Sequence, residues 1–375
     1  MDFLRKWKTL LIIIFLAMLP FLVWTVQSST IVNVWILDKT VPYPDYREHK
    51  GLVWVLNHFK MIPPPGQTKS KHYQYDTDYY GFFPGEDGKY RMKGLPQDGE
   101  KPDLIYIADT YGVYQADYLS ADYLGSRSSK IYGGLNKADL FTIQNNLEDN
   151  ILIAEFNSMA SPTELDSRKV LEEMVGVRWA EWMGRYFEDL SIGNEIPDWM
   201  VINYEKKYKK SWEFAEAGYV LVSDDDQIIV LEMKKDVGNK GLRFSFEPNY
   251  EKEFNNQHSV PYYYWFEWIQ PMEDTELIAS YHLDLTESGK KKLESKGLSF
   301  DFPAITRCHK DNYIAYYFAG DFADNNKIPR WYQYKGFPTF KRYVNIDIKG
   351  NPQGFFWRAY VPLMQNILED VQEKL

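Results

Sequence analysis

Three short apolar runs, "IVNVWILD" at 31–38, "LIYIAD" at 104–109 and "ILIAE" at 151–155, constrain this chain more than any other feature. Each is too short for a helix, is almost wholly apolar, and closes on a carboxylate: Asp38, Asp109 and Glu155. Apolar runs of this length read as strands covered on both faces. The segments between them carry helical patterns. Leu52, Val53, Val55, Leu56 and Phe59 recur at helical spacing after Asp45, a potential cap. A second helix is expected from about Asn136 to Glu148. A third, capped by Ser161 or Thr163, stops near Gly176. Strands alternating with helices make a mostly parallel sheet with right-handed crossovers the natural architecture. "NYIAYYFAGDFADN" at 312–325 reads as a late strand ending at Asp321, and Pro63 to Gly99 as a surface excursion in which only "YYGFF" is strand-like.

The second half changes character. "GYVLVSDDDQIIVLE" is a hairpin around an Asp-rich turn, and "ELIASYHLDL" is a further strand. In "VPYYYWFEWIQP", Tyr262, Tyr264, Phe266 and Trp268 alternate with Tyr263, Trp265 and Glu267, which predicts a strand covered on both sides. "TESGKKKLESKG" reads as a solvated helix or loop, and Leu363, Ile367, Leu368 and Val371 mark a final amphipathic helix from Tyr360 to Lys374. The fold class is therefore α/β: a mostly parallel sheet flanked by helices, with antiparallel β elaboration in the second half and one N-terminal transmembrane helix. Residues 1–28 form a membrane anchor or signal segment. Residues 29–375 form one extracytoplasmic α/β domain with an antiparallel insertion around 200–300.

The N-terminal assignment rests on "LLIIIFLAMLPFLVWTV" at 10–26, an uncharged run preceded by Arg5, Lys6 and Lys8. It is near the lower limit of the ~17–25 residues that cross a bilayer, and its basic flank favours a cytoplasmic N terminus. The expectation is a single-pass cell-membrane protein whose bulk is extracytoplasmic. Secretion after signal cleavage is the competing reading, with Val26 and Ser28 as the small-residue positions. Cys308 is the only cysteine, which excludes an intrachain disulfide and Cys-rich metal sites. A net charge of −10 argues against a nucleic-acid partner, because binding phosphates requires concentrated Lys and Arg.

An open α/β sheet binds ligands outside the carboxyl ends of its strands. If the strands are parallel neighbours, Asp38, Asp109, Glu155 and Asp321 converge on one crevice there, although acids also follow strands as turn formers. The expected catalytic set, should there be one, is Glu155, Asp109 and Asp38, because glycoside hydrolysis needs two carboxylates flanking the scissile bond. Ligand contacts are expected from Arg47, His49, Tyr111, Asn157, Arg185, Tyr186 and Asp321. For Arg47 and His49 the alternative is a solvated first helical turn, with Glu48 complementing the helix dipole. For Arg185 it is packing over Trp179 or Trp182. "SDDDQ" and "GDFADN" offer oxygen ligands, but neither matches a spaced calcium loop and no zinc motif occurs. No metal and no cofactor are expected.

The order of "DLIYIADTYGVY", a helix, "ILIAEFNSMASPTE", a helix ending in "MVGV", and the late "YIAYYFAGDFADN" resembles the class I glutamine amidotransferase-like superfamily. Within it, the chain is similar to the noncatalytic branches found with trehalose-utilisation-type proteins and in β-galactosidase accessory domains. The resemblance covers residues 31–187 and 303–325. It implies an amidotransferase-like fold in which the catalytic branch places a Cys nucleophile on the turn after the strand matching "ILIAEF". Glu155, Phe156, Asn157 and Ser158 stand there instead, so amidotransferase chemistry is not expected. The function expected is binding of a polar ligand, such as a cell-envelope saccharide, in the strand-end crevice. A carboxylate-based hydrolase acting on envelope or exported polysaccharide is the rival reading. A structural subunit with envelope protein partners is the third, favoured if the Pro63 to Gly99 segment plugs the crevice.

Overall fold

The structure is a computed structural model that describes residues 2–374, except 86–87, 121–127, 194, 255–258, 326, 329–332 and 345–348. The three apolar runs are strands Val34–Asp38, Leu104–Asp109 and Asn150–Glu155, and every residue in them is buried. Burial on both faces requires cover on both. Helix Arg47–His58 packs with the C-terminal helix Val361–Lys374, and Lys137–Asn145 packs with Leu165–Val175. Each fully buried Ile or Leu contributes ~1.5–3 kcal/mol, so these strands anchor the core.

Among the described residues the main sheet has ten strands. Its parallel half runs in the order Tyr313–Phe318, Asn150–Glu155, Leu104–Asp109, Val34–Asp38, Tyr80–Pro84. The antiparallel half continues from Tyr313–Phe318 through Asp301–His309, Thr275–Leu285 and Val237–Phe246 to Val260–Pro261. A second sheet is antiparallel throughout, in the order Ile228–Glu232, Gly218–Ser223, Val177–Phe187, Phe266–Pro271. The α/β class with a mostly parallel core and antiparallel additions thus holds. The second sheet begins at Val177, ahead of the antiparallel insertion expected around 200, and an antiparallel hairpin also stands at Tyr80–Lys93.

Several local expectations need correction. The aromatic run 260–271 is not one strand: Val260–Pro261 belongs to the main sheet and Phe266–Pro271 to the second, with Tyr262 to Trp265 crossing between them. Alternation alone could not reveal that crossing, because Tyr262, Phe266 and Trp268 are all buried. Asp45 does not cap the first helix of the body; Tyr46 occupies the cap with φ 52° and no side-chain hydrogen bond. Thr163 does not cap Leu165–Val175 because its hydroxyl is engaged elsewhere, donating to Ser158 O and accepting from Leu135 N–H. Nor does Ser161, since Glu164 is the cap residue. Asn136, by contrast, caps Lys137–Asn145 in a full capping box with Asp139.

The 63–99 segment does more than run over the surface. The buried Tyr73 hydroxyl donates to Val32 O at 2.6 Å and accepts from Val34 N–H at 2.9 Å. Tyr80–Pro84 and Tyr90–Lys93 then form a hairpin on the sheet edge. The N-terminal helix Asp2–Val26 contains a stretch, Lys6–Val26, long and apolar enough to be a membrane anchor or signal sequence.

Candidate functional site

Parallel register brings the strand-end acids to one edge. Asp38 pairs with Asp109, and Glu155 with Phe318, three residues before Asp321. Thr40 links the first two, its amide donating to Asp38 Oδ1 at 2.9 Å and its hydroxyl to Asp109 Oδ1 at 2.7 Å. The edge is nevertheless largely closed over these groups. Asp38 and His49 are fully buried, with His49 Nδ1 2.5 Å from Asp38 Oδ2 and His49 Nε2 2.7 Å from Tyr75 O. A carbonyl only accepts, so the contact to Tyr75 O is made by an Nε2–H, and Nδ1 faces the Asp38 carboxylate. Tyr75 and Tyr79, from the 63–99 segment, cover this pair together with Tyr46.

Glu155 is equally enclosed. Oε1 accepts from the Tyr106 hydroxyl, which also meets Tyr360 Oη at 3.0 Å, and Oε2 accepts from Ala323 N–H at 3.4 Å. Burial raises its pKa well above the usual carboxylate range, against the hydrogen bond from Tyr106. Burial likewise pushes Asp109 up to about 7, although Thr40, Tyr111 N–H and the Asn157 side chain donate to it. Asn157 occupies the left-handed region at φ 67°, on the sharp turn that follows Glu155.

Beyond Phe318 the chain presents Asp321 and Asp324 to the first turn of Arg47–His58. Glu48, Asp321 and Asp324 each place a carboxylate oxygen within 4.8 Å of the others. Burial and then mutual repulsion raise the pKa values of Glu48 and Asp321 strongly. Calcium takes about six to eight oxygen ligands, of which three carboxylates are only a part, but the "GDFADN" acids do converge with Glu48 more than their spacing indicated. Arg47 supplies positive charge there: its Nε lies 2.8 Å and its Nη2 2.5 Å from Asp324 Oδ2. On the second sheet, Glu267 is fully buried, accepts from the Tyr317 hydroxyl, and is raised by burial to about 8. Its amide donates to Ala319 O at 3.1 Å, which docks the second sheet onto the strand-end edge.

A cavity of about 270 Å³ lies at this junction, near the lower end of the ~300–1,000 Å³ of small-ligand sites. Arg47, Arg185, Tyr186, Tyr263, Tyr264 and Asp324 line it, with Glu188, Glu195 and Lys327 among the rest. Arg185 Nη2 donates to Glu195 at 2.9 Å, and its guanidinium lies over the Tyr264 and Trp265 rings at 5.7 Å. Arg47 donates to the Tyr264 hydroxyl. A larger hollow of about 750 Å³, lined by Lys169, Glu173, His309 and Lys310, includes Asn312 and Tyr313 at the start of their strand, hence the opposite edge of the sheet. The smaller cavity is the better candidate because it gathers charged groups of both signs and aromatic faces at the carboxyl ends of the strands.

Of the residues expected to contact ligand, Arg47, Arg185 and Tyr186 line this cavity. Asp38, Asp109, Glu155, Asp321, His49, Asn157 and Tyr111 do not. His49 is taken by Asp38, Asn157 by Asp109, and the 40% exposed Tyr111 packs on Tyr114. Sequence reasoning missed Glu48, Asp324, Glu267 and the pair Tyr263–Tyr264. The available signal was Glu267, a lone carboxylate inside an aromatic run, and two acids close together in "GDFADN".

No family model matches the sequence, and no curated protein matches it. Among solved structures, the chain is similar to one described as the crystal structure of Agd3, a novel carbohydrate deacetylase. Identity is 9% and the TM-score is 0.34, with 78% of this chain and 30% of that one covered. The chain spans less than a third of that protein's length, and a likeness at this level assigns neither family nor activity.

Proposed function

We propose that the chain binds a polyhydroxylated ligand, a cell-envelope saccharide, in the cavity between Arg47, Arg185 and Tyr263–Tyr264, with its body outside the cytoplasm and its N-terminal helix in the membrane. The observation that carries this is the lining. Cationic Arg47, Arg185 and Lys327 and anionic Glu188, Glu195 and Asp324 line the cavity together, so donors and acceptors are both at hand without a dominant sign. Tyrosines supply flat apolar faces with polar tips. A sugar ring offers the matching combination of hydroxyls and a C–H face. The basic flank and apolar run at 10–26 support the membrane placement.

The parallel half is proposed as an amidotransferase-like fold without a thiol at the elbow, supported by strand order and by the left-handed turn at Asn157. A carboxylate hydrolase has weaker support, because Glu155 and Asp38 are enclosed and hydrogen-bonded away from the cavity. The test is calorimetric titration of the full chain in detergent with neutral, N-acetylated and uronate oligosaccharides. Arg185→Ala and Tyr264→Ala are each expected to weaken binding at least about tenfold, or ~1.4 kcal/mol. Affinity unchanged in both variants, or no binding across the panel, removes the proposal. Release of new reducing ends that Asp109→Asn abolishes would favour the hydrolase.

A further inference from the structure

The apolar run 10–26 spans seventeen residues, or about 25 Å of helix, less than the ~30 Å hydrocarbon thickness of a bilayer. Even counted over Lys6–Val26, 21 residues or about 31 Å of helix, the apolar stretch only just covers that thickness, so no turn is left over to stand clear of the lipid. Yet its last turns are bound to the body. Lys335 N–H donates to Pro20 O at 3.1 Å, Trp24 is buried with Nε1 donating to His58 O at 2.9 Å, and the Lys60 ammonium stands 3.5 Å from the Trp24 ring centre. Pro20 precedes the end of the run by six residues, or ~9 Å. Whatever touches Pro20 is therefore drawn to the level of the outer leaflet.

The element that follows Lys335 suits that level. Helix Phe337–Val344 leaves Phe340 54%, Tyr343 81% and Val344 49% exposed, while Phe337 packs inward against Trp54 and Trp357. Lys341 and Arg342 accompany the apolar side chains. Segments 57–74 and 333–344 contain no Asp or Glu, although the chain as a whole has 53 acids and a net charge of −10. They contribute Lys60, Lys69, Lys71, Lys335, Lys341 and Arg342 instead. Lys335 and Lys60 are near enough to His58 to help lower its pKa to about 4, after burial as the larger cause.

We propose that Phe337–Val344 is an interfacial helix that lies on the outer leaflet beside the span. Phe340, Tyr343 and Val344 enter the headgroup boundary, and the basic collar faces anionic lipid. The contact fixes the body's orientation on the membrane, as two linked attachments do where one alone leaves a swivel. It rests on the reading of 10–26 as an uncleaved anchor.

The test places a fluorophore on single introduced cysteines in the full chain, with buried Cys308 left in place and the parent chain as blank. Ile14→Cys reports the span, Tyr343→Cys the helix, and Lys291→Cys an exposed site on Glu287–Glu294. The chain is reconstituted in vesicles of phosphatidylcholine and phosphatidylglycerol carrying nitroxide-labelled lipid. The expected result is strong quenching at 14 and quenching at 343 several times that at 291. Quenching at 14 with 343 no different from 291 overturns the interfacial helix and leaves the anchor standing. No quenching at 14 removes the anchor and the proposal together. Concentration-dependent shielding of 343 in detergent without lipid assigns the face to a second copy and overturns the proposal.

Discussion

At the scale of single residues, the strand-end region is a store of carboxyl groups kept from water. Glu267, raised to about 8, and Asp109, raised to about 7, both owe this chiefly to burial. Unfolded carboxyls titrate near ~4, so between ~4 and ~8 the folded protein holds protons that the unfolded chain releases. The stability tied to these groups is complete below the unfolded values and is lost as pH rises through the folded ones. Urea unfolding is accordingly expected to give a lower free energy at pH ~8 than at pH ~5. Glu267→Gln, which cannot titrate, should shrink that difference; an unchanged difference would show that Glu267 is not the group responsible. The residue scale is also where sequence reading was least informative. The position of His49 on the first turn is compatible with solvent or crevice, and only the buried Asp38 contact shows that its ring is already engaged.

At the scale of elements, helix Arg47–His58 connects the acid edge to the C-terminal region. Gly51 lets it approach the loop after Tyr313–Phe318, its amide donating to Ala323 O at 3.0 Å. A Cβ there would run into that carbonyl and lie 2.8 Å from Phe356 Cε2. Gly51→Ala is therefore expected to destabilise the fold by ~1–3 kcal/mol through overpacking, despite alanine's better helix propensity. Denaturant midpoints measure this, and a midpoint at or above the parent's would mean that the contact yields freely. Strands Val34–Asp38, Leu104–Asp109 and Asn150–Glu155 were readable because an unbroken apolar run on a short segment has few other solutions. The aromatic run around Tyr262 was not, since the same alternation serves one strand or a crossing between two sheets. Caps failed where a hydroxyl found a tertiary partner, as at Thr163, and succeeded at Asn136, where the whole motif is local.

At the scale of the whole molecule, the proposed tether is the N-terminal helix and the proposed binding site is the cavity. A charge at the middle of a spanning helix costs ~2.5–3.5 kcal/mol, so Ile14→Arg should move the chain from carbonate-washed membranes to the soluble fraction. A parent chain recovered soluble with a mass lacking residues 1–28 would decide for a cleaved signal instead. The cavity belongs to this scale as well, because its walls come from helix Arg47–His58, strand Val177–Phe187, the crossing at Tyr263–Tyr264 and the loop at Asp324. By itself the sequence determined what depends on neighbours along the chain: the buried strands, the acids that close them, and the candidate span. Tertiary structure decided which of those acids meet water. Accessibility depends on segments far away in sequence, and here Tyr75, Tyr79, Ala323 and Tyr360 enclose Asp38 and Glu155 while Arg47 and Arg185 are left to face the hollow.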